Sequence, residues 1–215
     1  MPRSLKIFMA GEGKHRAAIV VNNNHLDTIL IKQLSDEDNV VIEIIYSELK
    51  IIIASLYYDI TRHIDSDLQK IEKILQHAKG PGALIAVDSN SRSSSWHDII
   101  TNKRGRNLEE FLLSQQLYIL NEESLQTTFR SIRGASNIDI TITNGELLST
   151  VTDWEISDQE SCSDHSIIRY VIGQRKPTSC LSKNDDAARY KVNKVGKQQF
   201  QENLIHLTER KLFKN

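Results

Sequence analysis

Cysteine is scarce: the 215-residue chain has two, Cys162 and Cys180. Two thiols are too few for a disulfide framework or a cysteine-built zinc site, and they favour a reducing, intracellular setting. Long apolar runs are missing too. Nothing approaches the roughly 18 consecutive apolar residues of a membrane-spanning helix, so none is expected. The opening stretch, MPRSLKIFMAGEGKH, lacks a long apolar core before a small-residue cleavage site and does not read as a secretory signal. No internal repeat and no compelling basic localisation cluster is found. What remains has the composition of a globular domain: 39% of the residues are hydrophobic and 26% charged, enough for one sizeable core. The net charge of −1 is unevenly placed. Residues 174–215 carry +6 and residues 1–173 carry −7, so the basic tail reads either as a solvated linker or as help in holding a polyanion.

Four β-branched-rich runs, 16–22, 28–34, 39–46 and 49–57, are separated by turn-like breaks and predict an antiparallel meander. The period then changes. Ile64, Leu68, Ile71, Ile74, Leu75 and Ala78 recur at helical spacing, and Gly80-Pro81-Gly82 ends that helix. ALIAV, residues 83–87, is a short continuous apolar run, as in a strand buried on both faces. RNLEEFLLSQQLYIL predicts a second amphipathic helix running into a short strand. IDITITNGELLSTVTDWEI alternates around Asn144-Gly145 and predicts a hairpin. HSIIRYVIG is a last strand; beyond Gly173 a polar linker and a lone amphipathic helix are expected. Strands dominate and two helices are inserted, which suggests packed sheets with helices outside. The organisation is therefore one domain over 1–173 and a basic linker with helix over 174–215.

Three polar clusters interrupt this framework. Asp88 and Asn90 end the ALIAV strand; as residues i and i+2 of a strand they share a face. Asp139 lies between Ile138 and Ile140, and a carboxylate buried there needs a partner. Asp164 and His165 precede the final strand, and His165 is the natural candidate for that partner.

In this order the clusters resemble the endonuclease/exonuclease/phosphatase superfamily, which includes exonuclease III and apurinic/apyrimidinic endonucleases. They are most similar to the endonuclease domain of arthropod non-LTR (LINE-type) retrotransposons. The resemblance is carried by VDSNSRSSSWHD, GRNLEEFLLSQQLYILN, TTFRS, SNIDIT and SCSDHSIIRY, and covers roughly residues 14–173. ASLYYD resembles the family's S-x-Y segment, with Tyr57 the better match for its tyrosine and Tyr58 the fallback. The resemblance implies an α/β fold of two packed, mostly antiparallel sheets flanked by helices, a four-layer exonuclease III-like sandwich. It implies Mg²⁺- or Mn²⁺-dependent hydrolysis of DNA phosphodiesters, acting in the nucleus. In that chemistry Asp88 orients and deprotonates the attacking water, and Asn90 fixes that water or a phosphate oxygen. His165 donates to the phosphate, Asp139 holds the imidazole, Asp164 helps to hold the metal and Tyr57 donates to the phosphate. Trp96 is expected to be mostly buried. Arg104 and Arg106 either meet DNA phosphates or are solvated loop charges.

The sequence also departs from that pattern. The family's first two strands, which supply an Asn and the principal metal-binding Glu, are not found; Glu12 is the sole carboxylate before residue 16 and sits in a loop-like AGEGKH. This predicts an N-terminally truncated domain, poorly soluble and weakly active or inactive, with an exposed sheet edge. Two other functions fit the same residues: a non-catalytic nucleic-acid-binding remnant, and a lipid or inositol phosphate phosphodiesterase of the same fold.

Overall fold

The computed structural model describes residues 5–173, apart from Asn24 and Glu48. The chain divides into two compact units, Met1–Arg175 and Lys176–Asn215; the second, with the expected basic linker and helix, lies outside the described residues.

The order of elements begins with strands β1 (Lys6–Phe8), β2 (Ile19–Val21), β3 (Asp27–Leu30), β4 (Asn39–Tyr46) and β5 (Leu49–Tyr57). Helix α1 (Ile64–His77), β6 (Gly82–Asp88), helix α2 (Lys103–Ser114) and the short β7 (Tyr118–Ile119) follow. The last third holds β8 (Phe129–Ser131), β9 (Gly134–Ser136), β10 (Asp139–Thr143), the one-turn helix α3 (Gly145–Leu148), β11 (Val151–Ile156) and β12 (Ile168–Ile172).

A six-stranded sheet of order β3-β4-β5-β6-β10-β7 organises the fold. Only the β5–β6 pair is parallel, because α1 crosses between those two strands. Side chains alternate across each strand, so each strand feeds two cores. On one face Ile52, Ala54, Ile85 and Ile140 pack against Ile71 and Ile74 of α1 and Leu108 of α2. On the other face Val40 and Ile42 meet the β1–β2 ladder, and Ile51 and Leu84 meet α3 and the β11–β12 ladder. This is the mixed α/β architecture expected, with the sheets left open: the second layer is two separate two-stranded ladders.

Two local expectations are corrected. The run at 16–22 forms β2, which pairs with β1 instead of joining the meander, so a strand precedes it where none was expected. The Asn144-Gly145 hairpin does not form. Asn144 accepts a hydrogen bond from the Ala83 N–H (3.0 Å), the chain turns through α3, and β10 and β11 enter different layers. Long-range pairing has overridden a local turn signal. A hairpin at β8–β9 was not foreseen.

The start of α2 fixes the loop that follows β6. The Asn102 side chain accepts from the Gly105 N–H (2.7 Å) and caps the helix. Gly105 lies so close to this loop that a Cβ there would overlap the backbone carbonyl of Arg92. Gly105→Ala is therefore expected to destabilise the domain by about 1–3 kcal/mol. A lower urea midpoint with unchanged slope would show it.

Candidate active site

Sheet register alone brings three polar side chains into a row. Tyr57 of β5 lies opposite Asp88 of β6, and Asp88 lies opposite Asp139 of β10. Neighbouring strands are about 4.8 Å apart, so two carboxylates opposed in this way need a cation or a proton between them. His165 supplies one partner. Its Nδ1 is 3.0 Å from both carboxylate oxygens of Asp139, and its Nε2 is 3.8 Å from Asp88 Oδ2. A carboxylate acceptor keeps the proton on Nδ1, which leaves Nε2 to face Asp88 and the cleft. The Phe129 ring packs edge-on against the imidazole, centroids 5.0 Å apart, and fixes its plane.

The opening is an open cleft of about 350 Å³ whose lining includes Tyr57, Asp88, Asn90, Arg92, Phe129 and His165. Asn90 reaches it differently from the expectation. The strand ends at Asp88, and Asn90 adopts a left-handed conformation (φ +46°), which asparagine tolerates. Its Nδ2 donates to the Tyr58 carbonyl (2.9 Å), so part of its amide closes the turn. Arg16 stacks over the Tyr57 ring at 4.5 Å and is held there by Asp38 (2.5 Å) and Asp59 (2.8 Å).

Burial and the neighbouring Asp139 push the Asp88 carboxyl up to about 6, against the opposing pull of His165 and the Asn90 N–H. The Asp139 hydrogen bond raises His165. The site therefore pairs a carboxylate poised near neutrality with an imidazole biased toward its cation.

Asp88, Asp139 and His165 offer ligand atoms within 4.8 Å of one another and could hold a metal ion. Two crowded carboxylates, one with its charged form destabilised, suit a hard divalent cation that prefers oxygen. Asp164 is exposed and lies outside this cluster, as does Glu12, whose backbone N–H donates to Glu37. Arg104 turns inward: its side chain is 16% exposed and donates to the Arg62 carbonyl (2.7 Å). Arg106 is exposed, with Nη1 donating to the Thr101 carbonyl (3.3 Å).

Several supporting residues were not singled out from the sequence. Thr128 is buried; its hydroxyl accepts from the Ile138 and Asp139 N–H groups (3.0 and 3.1 Å), and its carbonyl accepts from Ser166 N–H (2.7 Å). One residue thus pins the strand end of Asp139 and the neighbour of His165. Buried Asp98 accepts from Arg92 (2.9 Å) and from the Asn137 N–H (2.7 Å). Trp96, expected from the sequence to be mostly buried, is fully buried, with Nε1 donating to the Asn137 carbonyl (3.0 Å). Thr128 and Asp98 sit inside TTFRS and WHD, but nothing local in those stretches shows what they hold.

The chain is similar to known proteins. A family model described as endonuclease–reverse transcriptase matches residues 51–169, more than half of the chain. The Pol polyprotein of the type-1 retrotransposable element R1 from Bradysia coprophila is 23% identical over 203 residues, covering 89% of this chain and 20% of that protein. The putative 115 kDa protein of element R1DM from Drosophila melanogaster is 26% identical over 191 residues, covering 85% of this chain and 18% of that protein. The chain thus spans about a fifth of the length of these curated relatives. The endonuclease domain of TRAS1, a telomere-specific non-LTR retrotransposon, superposes with a TM-score of 0.74 at 27% identity, covering 80% of this chain and 81% of that one. With the matched region running from within β5 into β12 and including Tyr57, Asp88, Asn90, Asp139 and His165, the chain belongs to the endonuclease–reverse transcriptase family of the endonuclease/exonuclease/phosphatase superfamily.

Proposed function

We propose that this domain nicks DNA by metal-dependent hydrolysis of a phosphodiester. One observation carries the reading: His165 is held between Asp139 and Asp88 at the mouth of the cleft. Asp88, with its carboxyl near 6, takes the proton of the attacking water. Asn90 lies beside it to orient that water or a phosphate oxygen. His165, kept cationic by Asp139, donates to a phosphate oxygen and offsets the charge that develops on it. Tyr57 lines the same cleft and offers its hydroxyl to the phosphate. A Mg²⁺ or Mn²⁺ held by Asp88 and its neighbours would neutralise further charge on the phosphoryl group.

A second reading, DNA binding without cleavage, is favoured by one feature. Among the described residues the converging ligands are Asp88, Asp139 and His165, and Asp139 already accepts from His165. Such a site would bind a cation weakly. Supercoiled plasmid incubated with the chain and Mg²⁺, beside EDTA and His165→Ala controls, separates the two. Nicking that requires both metal and His165 supports the endonuclease. Salt-dependent DNA binding with no nicking supports the second reading. Release of phosphate or head group from lipid substrates, with DNA untouched, would overturn both.

A further inference from the structure

Behind the catalytic turn lies a buried polar cluster that the chemistry above does not use. Tyr58 follows Tyr57 and points to the opposite side, where it is fully buried. Its backbone holds Asp88 at the end of β6 and Asn90 in the turn beyond it: its N–H donates to the Asp88 carbonyl and its carbonyl accepts from Asn90 Nδ2, each at 2.9 Å. Three polar atoms are buried there without a hydrogen-bond partner among the described residues: Tyr58 Oη, Asp67 Oδ2 of α1 and Arg104 Nε of α2. Burial raises both the Tyr58 phenol and the Asp67 carboxyl, and Arg104 opposes the rise in each.

A guanidinium in the first turn of a helix sits at the wrong end of the helix dipole. Its surroundings offset that cost. Arg104 Nη1 donates to the Arg62 carbonyl (2.7 Å), while Nη2 is 3.5 Å from the Ser89 carbonyl and 3.7 Å from Asp67. Ser89 is the residue between Asp88 and Asn90. The planar fork therefore spans the start of α1 and the middle of the turn that aims both side chains.

We propose that Arg104 is a positioning residue, fixing the Asp88–Asn90 turn from behind through the Ser89 carbonyl, with Asp67 orienting its guanidinium. The proposal rests on the phosphodiesterase reading. It separates Arg104 from exposed Arg106, the residue left free to meet a phosphate.

The test compares Arg104→Met and Arg104→Lys with the wild-type chain. Plasmid nicking, DNA binding against salt, thermal unfolding and hydrogen exchange of peptides covering 88–93 are measured. For Arg104→Met, kcat is expected to fall about 10–100-fold, as for other small misplacements of a reacting group. KM stays within about twofold and the slope of log K against log salt is unchanged, because no phosphate contact is lost. Exchange over 88–93 accelerates while the rest of the fold keeps its protection. Arg104→Lys recovers part of kcat, since an ammonium reaches Asp67 without bridging to both carbonyls. A raised KM with a salt slope smaller by about one would make Arg104 a phosphate contact and overturn the proposal. An unchanged kcat with a lower Tm would reduce it to a structural support. If Arg104→Met does not fold, Asp67→Asn carries the same expectation, a lower kcat at constant KM. If the wild-type chain does not nick, the nuclease reading fails on its own. Unchanged exchange over 88–93 in the variant would then overturn the positioning role separately.

Discussion

Asp88→Asn is expected to abolish nicking and stabilise the protein at once. The activity loss is the larger effect: removing the group that accepts the water proton costs about 10²–10⁴-fold in kcat. The stability gain follows from the same carboxyl. In the native state burial and Asp139 keep Asp88 protonated up to about pH 6, against an ordinary value of 3.8. The folded chain therefore binds more protons than the unfolded chain between those values, and stability falls as pH rises through that window. Above it the penalty is complete, and two pKa units correspond to roughly 3 kcal/mol at most. Asparagine has no charge to bury and keeps an oxygen for the Asn90 N–H, which reaches Asp88 Oδ1 at 3.3 Å. The variant should have a higher Tm than wild type at pH 7 and the same Tm below about pH 4. Thermal scans in EDTA at several pH values would show it. Equal Tm at pH 7 would mean that Asp88 carries no such penalty.

This opposition between stability and activity also explains what was legible in the sequence. The parts of the fold that announce themselves are those whose pattern is local. The periodic apolar face of α1 and the unbroken apolar run of β6 are read directly, and the structure buries Ile64, Ile71, Ile74, Leu84 and Ile85 almost completely. Asp139 was legible because it is a local misfit, a charge between two isoleucines that demands a partner; the structure gives it His165, 26 residues away. Features that depend on distant groups were not legible. Asn144-Gly145 has hairpin chemistry, but Asn144 is used to accept from Ala83, 61 residues earlier, and the strands part. Asn90 looked like a strand residue until the turn placed it in a left-handed conformation held by Tyr58. Arg104 resembles a surface charge in every local respect, and only the packing of α1 against α2 turns it inward. Thr128 has no local signal of its role, yet its bonds reach both the start of β10 at Asp139 and Ser166, the neighbour of His165.

That pair should behave as one unit. Either His165→Ala or Asp139→Asn is expected to lower kcat by about 10²–10⁴-fold. The double variant should lose little more than the worse single variant, because each change already breaks the same arrangement. Additive losses would mean that the two residues act separately. The pH dependence distinguishes their roles. Asp139 raises the His165 pKa, so native His165 stays protonated to higher pH than it would in the unfolded chain. The pair stabilises the fold fully below the ordinary histidine value of about 6.5, and that stabilisation is lost as pH rises through the higher native value. In Asp139→Asn the charge that holds the proton is gone. The residual activity should then fall on the alkaline side at a lower pH than in wild type, and the pH dependence of Tm above pH 6 should flatten. NMR titration of the imidazole in the two chains measures the shift directly. A His165 pKa that does not move on losing Asp139 would leave the imidazolium role without its physical basis, even if nicking were abolished.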